Sequence, residues 1–212
     1  HKQGVTHVFG IPGDFALPTF RWMQASPLKI ITMTHEPSVG FAADAYARIN
    51  GLGVACVTYC VGGLNMLNSV ACAYAEKSPV LVISGGPSPK DRDKDVLMHH
   101  KVRTFDTQRH IYEEVTCATA VITDPATAAG EIMRVIATMR EQSRPGYIEM
   151  PFDVVDMPIT NIPAAPNRPA PTSNQDNLSA MVEDAVAAIN KAKQPVIIAD
   201  IELHRHGLTE QA

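Results

Sequence analysis

The chain has 212 residues, 45% of them hydrophobic and 19% charged, the balance of an ordinary soluble globular protein longer than one typical domain. A formal net charge of −4 leaves no basic footprint for nucleic acid, and no apolar run approaches the ~20 residues of a membrane span, so neither is an expected partner. Cys56, Cys60, Cys72 and Cys117 lie in or beside apolar segments, without zinc-knuckle or CxxC spacing. They are expected to be free, buried thiols of a cytoplasmic protein.

In chain order, residues 7–10 end a first strand, residues 11–14 form a turn, and a helix starts near Phe15. The apolar run 28–34 reads as a buried strand. Residues 37–48 read as a tightly packed helix with proline at its first position. Residues 53–59 form a third strand, followed by a Gly62-Gly63 turn and a helix over 64–77. Residues 79–84 form a fourth strand. The segment 85–106 is irregular, and its run Lys90, Asp91, Arg92, Asp93, Lys94, Asp95 reads as solvated. Strand character over 115–123, a helix over 125–142 and a strand over 146–150 complete the set. This alternation predicts an α/β protein with an open parallel sheet and helices on both faces. Pro163, Pro166, Pro169 and Pro171 mark a linker over 158–175. Beyond it, an amphipathic helix over 178–193 and a strand over 194–200 read as the opening of a second α/β domain, 176–212. One helix and one strand cannot build a core. As the first residue is also His1 rather than Met, the chain is expected to be a fragment of something longer.

Glu36 is the most informative residue. It stands between the second strand and the helix that follows, at the edge where open α/β sheets place ligands, and the helix dipole favours its charged form. A plain helix cap would occupy the same position. Three other features converge on that edge. The turn Pro12-Gly13 presents Asp14, and residues 58–65 end the third strand with paired glycines that admit close approach to backbone. The third is His99-His100, two imidazoles that can donate protons or hold a carboxylate anion. Neither a GxGxxG fingerprint nor a P-loop is present. Asp14, His99, His100 and Glu36 match no compact ligand spacing, so no metal is expected on this chain.

Phe9-Gly10-Ile11-Pro12-Gly13-Asp14-Phe15, the Glu36 helix with its segment 42–48, residues 61–68, Tyr74-Ala75-Glu76 and Leu97-Met98-His99-His100 follow one another in a single order. Together they resemble the amino-terminal pyrimidine-binding domain of thiamine diphosphate-dependent 2-oxo acid decarboxylases, the pyruvate, indolepyruvate and phenylpyruvate group. The resemblance makes 1–157 the pyrimidine-binding domain and 176–212 the start of the family's middle domain. It implies that Glu36 hydrogen-bonds the aminopyrimidine ring of thiamine diphosphate. Asp14, His99 and His100 match residues that position substrate and manage proton transfer and aldehyde release. Pro12, Gly13, Thr58, Gly62 and Asn65 fall in the same cofactor crevice. The family's magnesium–diphosphate motif, Gly-Asp-Gly with a later Asn-Asn, is absent, because it belongs to a carboxyl-terminal domain. The resemblance therefore implies Mg2+ bound elsewhere, a homo-oligomer (dimer or tetramer) with its active site between subunits, and inactivity of the 212-residue fragment alone. Cys60 departs from the family, which often has glycine there. Two alternatives stay open: a carboligase of the acetolactate synthase type, against which His99-His100 argues, and a non-catalytic truncated domain.

Overall fold

A computed structural model describes residues 1–160, 162 and 173–211. The chain divides into two units, His1–Pro163 and Ala164–Ala212. The four prolines of the expected linker lie outside the described residues.

In the first unit, strands β1 (His7–Gly10), β2 (Lys29–Thr32), β3 (Gly53–Val57), β4 (Val80–Gly86), β5 (Ala118–Val121) and β6 (Gly146–Pro151) form one six-stranded sheet in the order β2-β1-β3-β4-β6-β5. Every pairing is parallel, so the carboxyl ends of all six strands share one edge. The connecting helices are α1 (Leu17–Gln24), α2 (Glu36–Asn50), α3 (Val61–Ala75), α4 (Pro89–Asp93), α5 (Thr107–Glu113) and α6 (Pro125–Gln142).

Strand alternation distributes the apolar side chains between two cores. Val8, Val54, Cys56, Leu81 and Ile148 pack with Phe20 of α1 and with Val135, Ile136 and Met139 of α6. Ala55, Val57, Val80, Val82 and Tyr147 pack with α2, α3 and Tyr112 of α5 on the opposite face. Both faces are thus covered, as the continuous apolar strands require. Small residues set the spacing of the second face. A Cβ on Gly53 would stand 2.0 Å from the Ala43 carbonyl oxygen, and one on Gly40 would stand 1.7 Å from Ser69 Oγ. Within the segment 42–48, Ala43 and Ala47 are buried in this face. Arg48 holds the buried Asp44 carboxylate at 3.1 and 2.8 Å and reaches Glu76 at 3.6 Å.

Several expectations are corrected. The second strand is a largely exposed edge strand, since only β1 pairs with it. Gly62 and Gly63 are the second and third residues of α3 rather than a turn before it. Helix α1 starts at Leu17, because Ala16 and Leu17 first turn back onto the Gly13 carbonyl. The segment 85–106 contains α4 and leads into α5, two short helices that the sequence pattern does not predict.

The second unit contains α7 (Gln175–Lys191) and α8 (Ile201–Arg205). Asn174 and Asp200 cap them by accepting from the Asn177 and Ile201 backbone N–H groups. The strand expected over 194–200 is not formed. Those residues are exposed and lie in no ladder, and a strand without a neighbour leaves its backbone donors and acceptors to water. Val196, Ile197 and Ile198, which suggested the strand, are all more than 80% exposed.

Candidate active site

The strand order reverses between β1 and β3, and the crevice outside that reversal is where open α/β sheets bind ligands. Asp14 follows β1 and Thr58 follows β3, and the Thr58 hydroxyl donates to Asp14 Oδ1 at 3.2 Å across the reversal. A Cβ on Gly13 would stand 2.6 Å from Thr58 Cβ, so the two loops touch only because that residue is glycine.

The loop after β4 brings the histidines to the same place. His99 Nε2 pairs with Asp14 Oδ2, and His100 Nδ1 lies 4.0 Å from Oδ1. The His99 and His100 rings meet edge to face at 4.7 Å, and Phe15 stacks on His99 at 4.9 Å. Partial burial alone would raise the Asp14 carboxyl. Hydrogen bonds from His99, the Phe15 N–H and Thr58, with the charge of His99, outweigh that and hold it below the usual carboxylate range. The result is a carboxylate that orients one imidazole, with a second imidazole against the first, the arrangement needed to hold and move a proton.

Glu36 is the first residue of α2, partly buried at the same edge. Asn65 Nδ2 donates to its Oε2 at 2.6 Å. Among the described residues no group bonds Oε1, which leaves one carboxylate oxygen available as an acceptor. Gly62 lies between this carboxylate and the Asp14 cluster. A Cβ there would stand 3.2 Å from Thr58 Cγ2 and 3.8 Å from Glu36 Oε1. The structure thus gathers Asp14, Gly13, Thr58, His99 and His100 in one group and Glu36, Asn65 and Gly62 beside it. Pro12 instead lines a separate hollow with Leu17, Phe20 and Thr32. An apolar cavity of about 350 Å³ bordered by Trp22, Met23, Ile83 and Met150 contains none of these groups and no ionisable side chain.

One ligand atom each from Asp14, His99 and His100 lies within 4.8 Å of the others, a proximity that chain spacing could not reveal. The Asp14 oxygens are already occupied by Phe15, Thr58 and His99, so hydrogen bonding accounts for the cluster without a cation.

Several participants were not foreseen from the sequence. Phe15 fixes the His99 ring. Arg92, read as solvated, forms an ion pair with Glu149, a fully buried carboxylate on β6. A lone glutamate inside the apolar strand Gly146–Pro151 was the available signal. Cys60 adopts φ 51° and ψ −77°, a positive-φ conformation that glycine adopts without steric cost and cysteine does not.

Residues 1–110 match the sequence pattern described as thiamine pyrophosphate enzyme, N-terminal TPP binding domain. The chain belongs to the thiamine pyrophosphate enzymes. Within that family it is 45% identical over 208 residues to the indole-3-pyruvate decarboxylase of Azospirillum brasilense, covering 97% of this chain and 38% of the relative. It is 36% identical over 211 residues to pyruvate decarboxylase 2 of Oryza sativa subsp. japonica (95% of this chain, 34% of the relative). It is 38% identical over 201 residues to pyruvate decarboxylase 2 of Arabidopsis thaliana (92% and 33%). The chain thus spans about a third of the length of the curated relatives it matches. Among the described residues no helix is long and apolar enough to cross a membrane. The four cysteines are free, with Cys56 and Cys60 buried and Cys72 and Cys117 partly so. Burial pushes the Cys56, Cys60 and Cys117 thiols up.

Proposed function

We propose that this chain is the pyrimidine-binding part of a thiamine diphosphate-dependent 2-oxo acid decarboxylase, releasing carbon dioxide and an aldehyde from indolepyruvate, phenylpyruvate or pyruvate. The observation that carries the reading is the open Glu36 Oε1 at the sheet's carboxyl edge, beside a carboxylate–imidazole pair. Both fit the cofactor. Glu36 offers a charged acceptor to a protonated pyrimidine nitrogen, Asn65 keeps that acceptor oriented, and Gly62 keeps the space next to it free of a side chain. The cofactor supplies the electron sink for decarboxylation, and the protein tunes its ring protonation. Asp14 orients His99, and His99 with His100 holds the substrate carboxylate and returns a proton to the product.

In this reading residues 1–157 form the pyrimidine domain, 158–175 the linker and 176–212 the opening of the middle domain. Mg2+ and the diphosphate are held by a further domain, and the site is completed between subunits of a homo-oligomer. Free thiols and the lack of a spanning helix among the described residues support a cytoplasmic setting. The adjacent His99-His100 pair argues against the carboligase alternative. The test is aldehyde release from the three 2-oxo acids by the full-length protein with thiamine diphosphate and Mg2+. Absence of turnover on all three overturns the proposal, and a carbon–carbon-bonded product from pyruvate favours the carboligase.

A further inference from the structure

A fully buried carboxylate stands on β6, outside the group of side chains described above. Glu149 has no exposed surface, although it sits on a central strand beside Ser84 of β4. A buried carboxylate is costly unless it is paired and hydrogen-bonded. Arg92 of α4 pairs with Oε1, and the Tyr147 hydroxyl donates to Oε2 at 2.7 Å. Burial pushes the Tyr147 phenol up, so it stays a neutral donor. Gln108 of α5 donates to Tyr147 at 2.6 Å and to Ser84 at 2.8 Å. A Cβ on Gly86 would stand 2.7 Å from Glu149 Oε1, so the glycine makes room for the carboxylate.

Arg92 has a second partner, Asp106 at 3.3 Å, fourteen positions along the chain and immediately before α5. One guanidinium therefore joins both ends of the loop that carries His99 and His100, and ties them to β6. The middle of that loop is held differently. Val96 and Met98 pack against Phe15, Tyr59, Cys60 and Phe105, and the Tyr59 hydroxyl donates to the Phe105 carbonyl at 2.7 Å. Apolar packing retains the loop, whereas the directional ion pair sets where its ends stand.

We propose that Arg92 and Glu149 are positioning residues of the site: their buried ion pair staples the base of the histidine loop and so holds His99 against Asp14. Its catalytic consequence rests on the decarboxylase reading, but the geometry can be tested without turnover.

The test is NMR titration of the Asp14 carboxyl in the 212-residue chain. In the wild type the midpoint is expected below the usual carboxylate range, because hydrogen bonds from His99, the Phe15 N–H and Thr58 outweigh the effect of partial burial. Arg92→Met is expected to move that midpoint up toward the ordinary ~3.9 and to shift the His99 ring signals. Val135→Ala, in the core of the opposite sheet face, should lower the melting temperature and leave the midpoint in place. If Arg92→Met does not fold, Arg92→Met/Glu149→Leu removes both charges together, and the same rise is expected. An unmoved Asp14 midpoint in a folded variant overturns the proposal. Absent turnover in the full-length enzyme would overturn the decarboxylase reading alone.

Discussion

Asn65 and Glu36, twenty-nine positions apart, are joined by a 2.6 Å hydrogen bond from the amide to Oε2 that ties the amino-terminal ends of α2 and α3. The bond leaves Oε1 as the acceptor offered at the sheet edge. It is also why a simple cap is a poor description of Glu36: no backbone N–H of α2 is bonded by its carboxylate. The two helices that carry this pair approach closely at Gly40 and Ser69, so packing sets the relative position of the two side chains.

Asp14 makes stability depend on pH. Its folded pKa is depressed, so its contribution is present above the ordinary unfolded value of ~3.9 and is lost as pH falls through the lower folded value. The side chain is half exposed, so the effect is small. Thermal melts of wild type and Asp14→Asn should differ at about pH 5, where the carboxylate is charged, and converge as pH falls below about 4. A difference that persists undiminished in acid would contradict this linkage.

Breaking the Arg92–Glu149 pair from one side should be costly. Arg92→Met leaves a buried unpaired carboxylate and is expected to lose about 3–5 kcal/mol in urea denaturation. Arg92→Met/Glu149→Leu should recover most of that loss, because it removes the orphaned charge as well. Equal destabilisation in the single and double variants would mean that the charge pair is not what matters there.

Cys60 stores strain at the strand-to-helix junction, with φ 51° and ψ −77°. Such a conformation costs a non-glycine residue about 1–3 kcal/mol. Cys60→Gly relieves it but loses a small buried side chain and gains unfolded-state freedom, together about 1 kcal/mol. Thermal stability should therefore follow the order Gly at or above Cys, with Cys60→Val lowest by about 2 kcal/mol or more. The reverse order would show that the turn relaxes freely.

Much of this site was legible in the sequence because parallel α/β topology does the gathering. Once strands alternate with helices, the residues after β1, β2, β3 and β4 must share one edge, which places Asp14, Glu36, Thr58 and His99 together. What could not be read was anything set by tertiary pairing. Nothing local marks Arg92 as partly buried, since its run of alternating charges has the composition of a solvated face. The second strand looked buried from its isoleucines, yet edge position is a property of the whole sheet. Residues 194–200 have strand composition without a strand to pair with. Pro12 belongs to the recognised motif and still faces a different hollow.

The most direct measurement concerns Glu36 itself. In the full-length protein with thiamine diphosphate and Mg2+, exchange of the cofactor's C2 proton for deuterium can be followed by NMR. For Glu36→Gln the account predicts exchange slowed by about 100-fold or more, with stability changed by less than about 1 kcal/mol. Exchange at the wild-type rate in a folded, cofactor-loaded variant would contradict it and leave Glu36 a residue of helix structure alone.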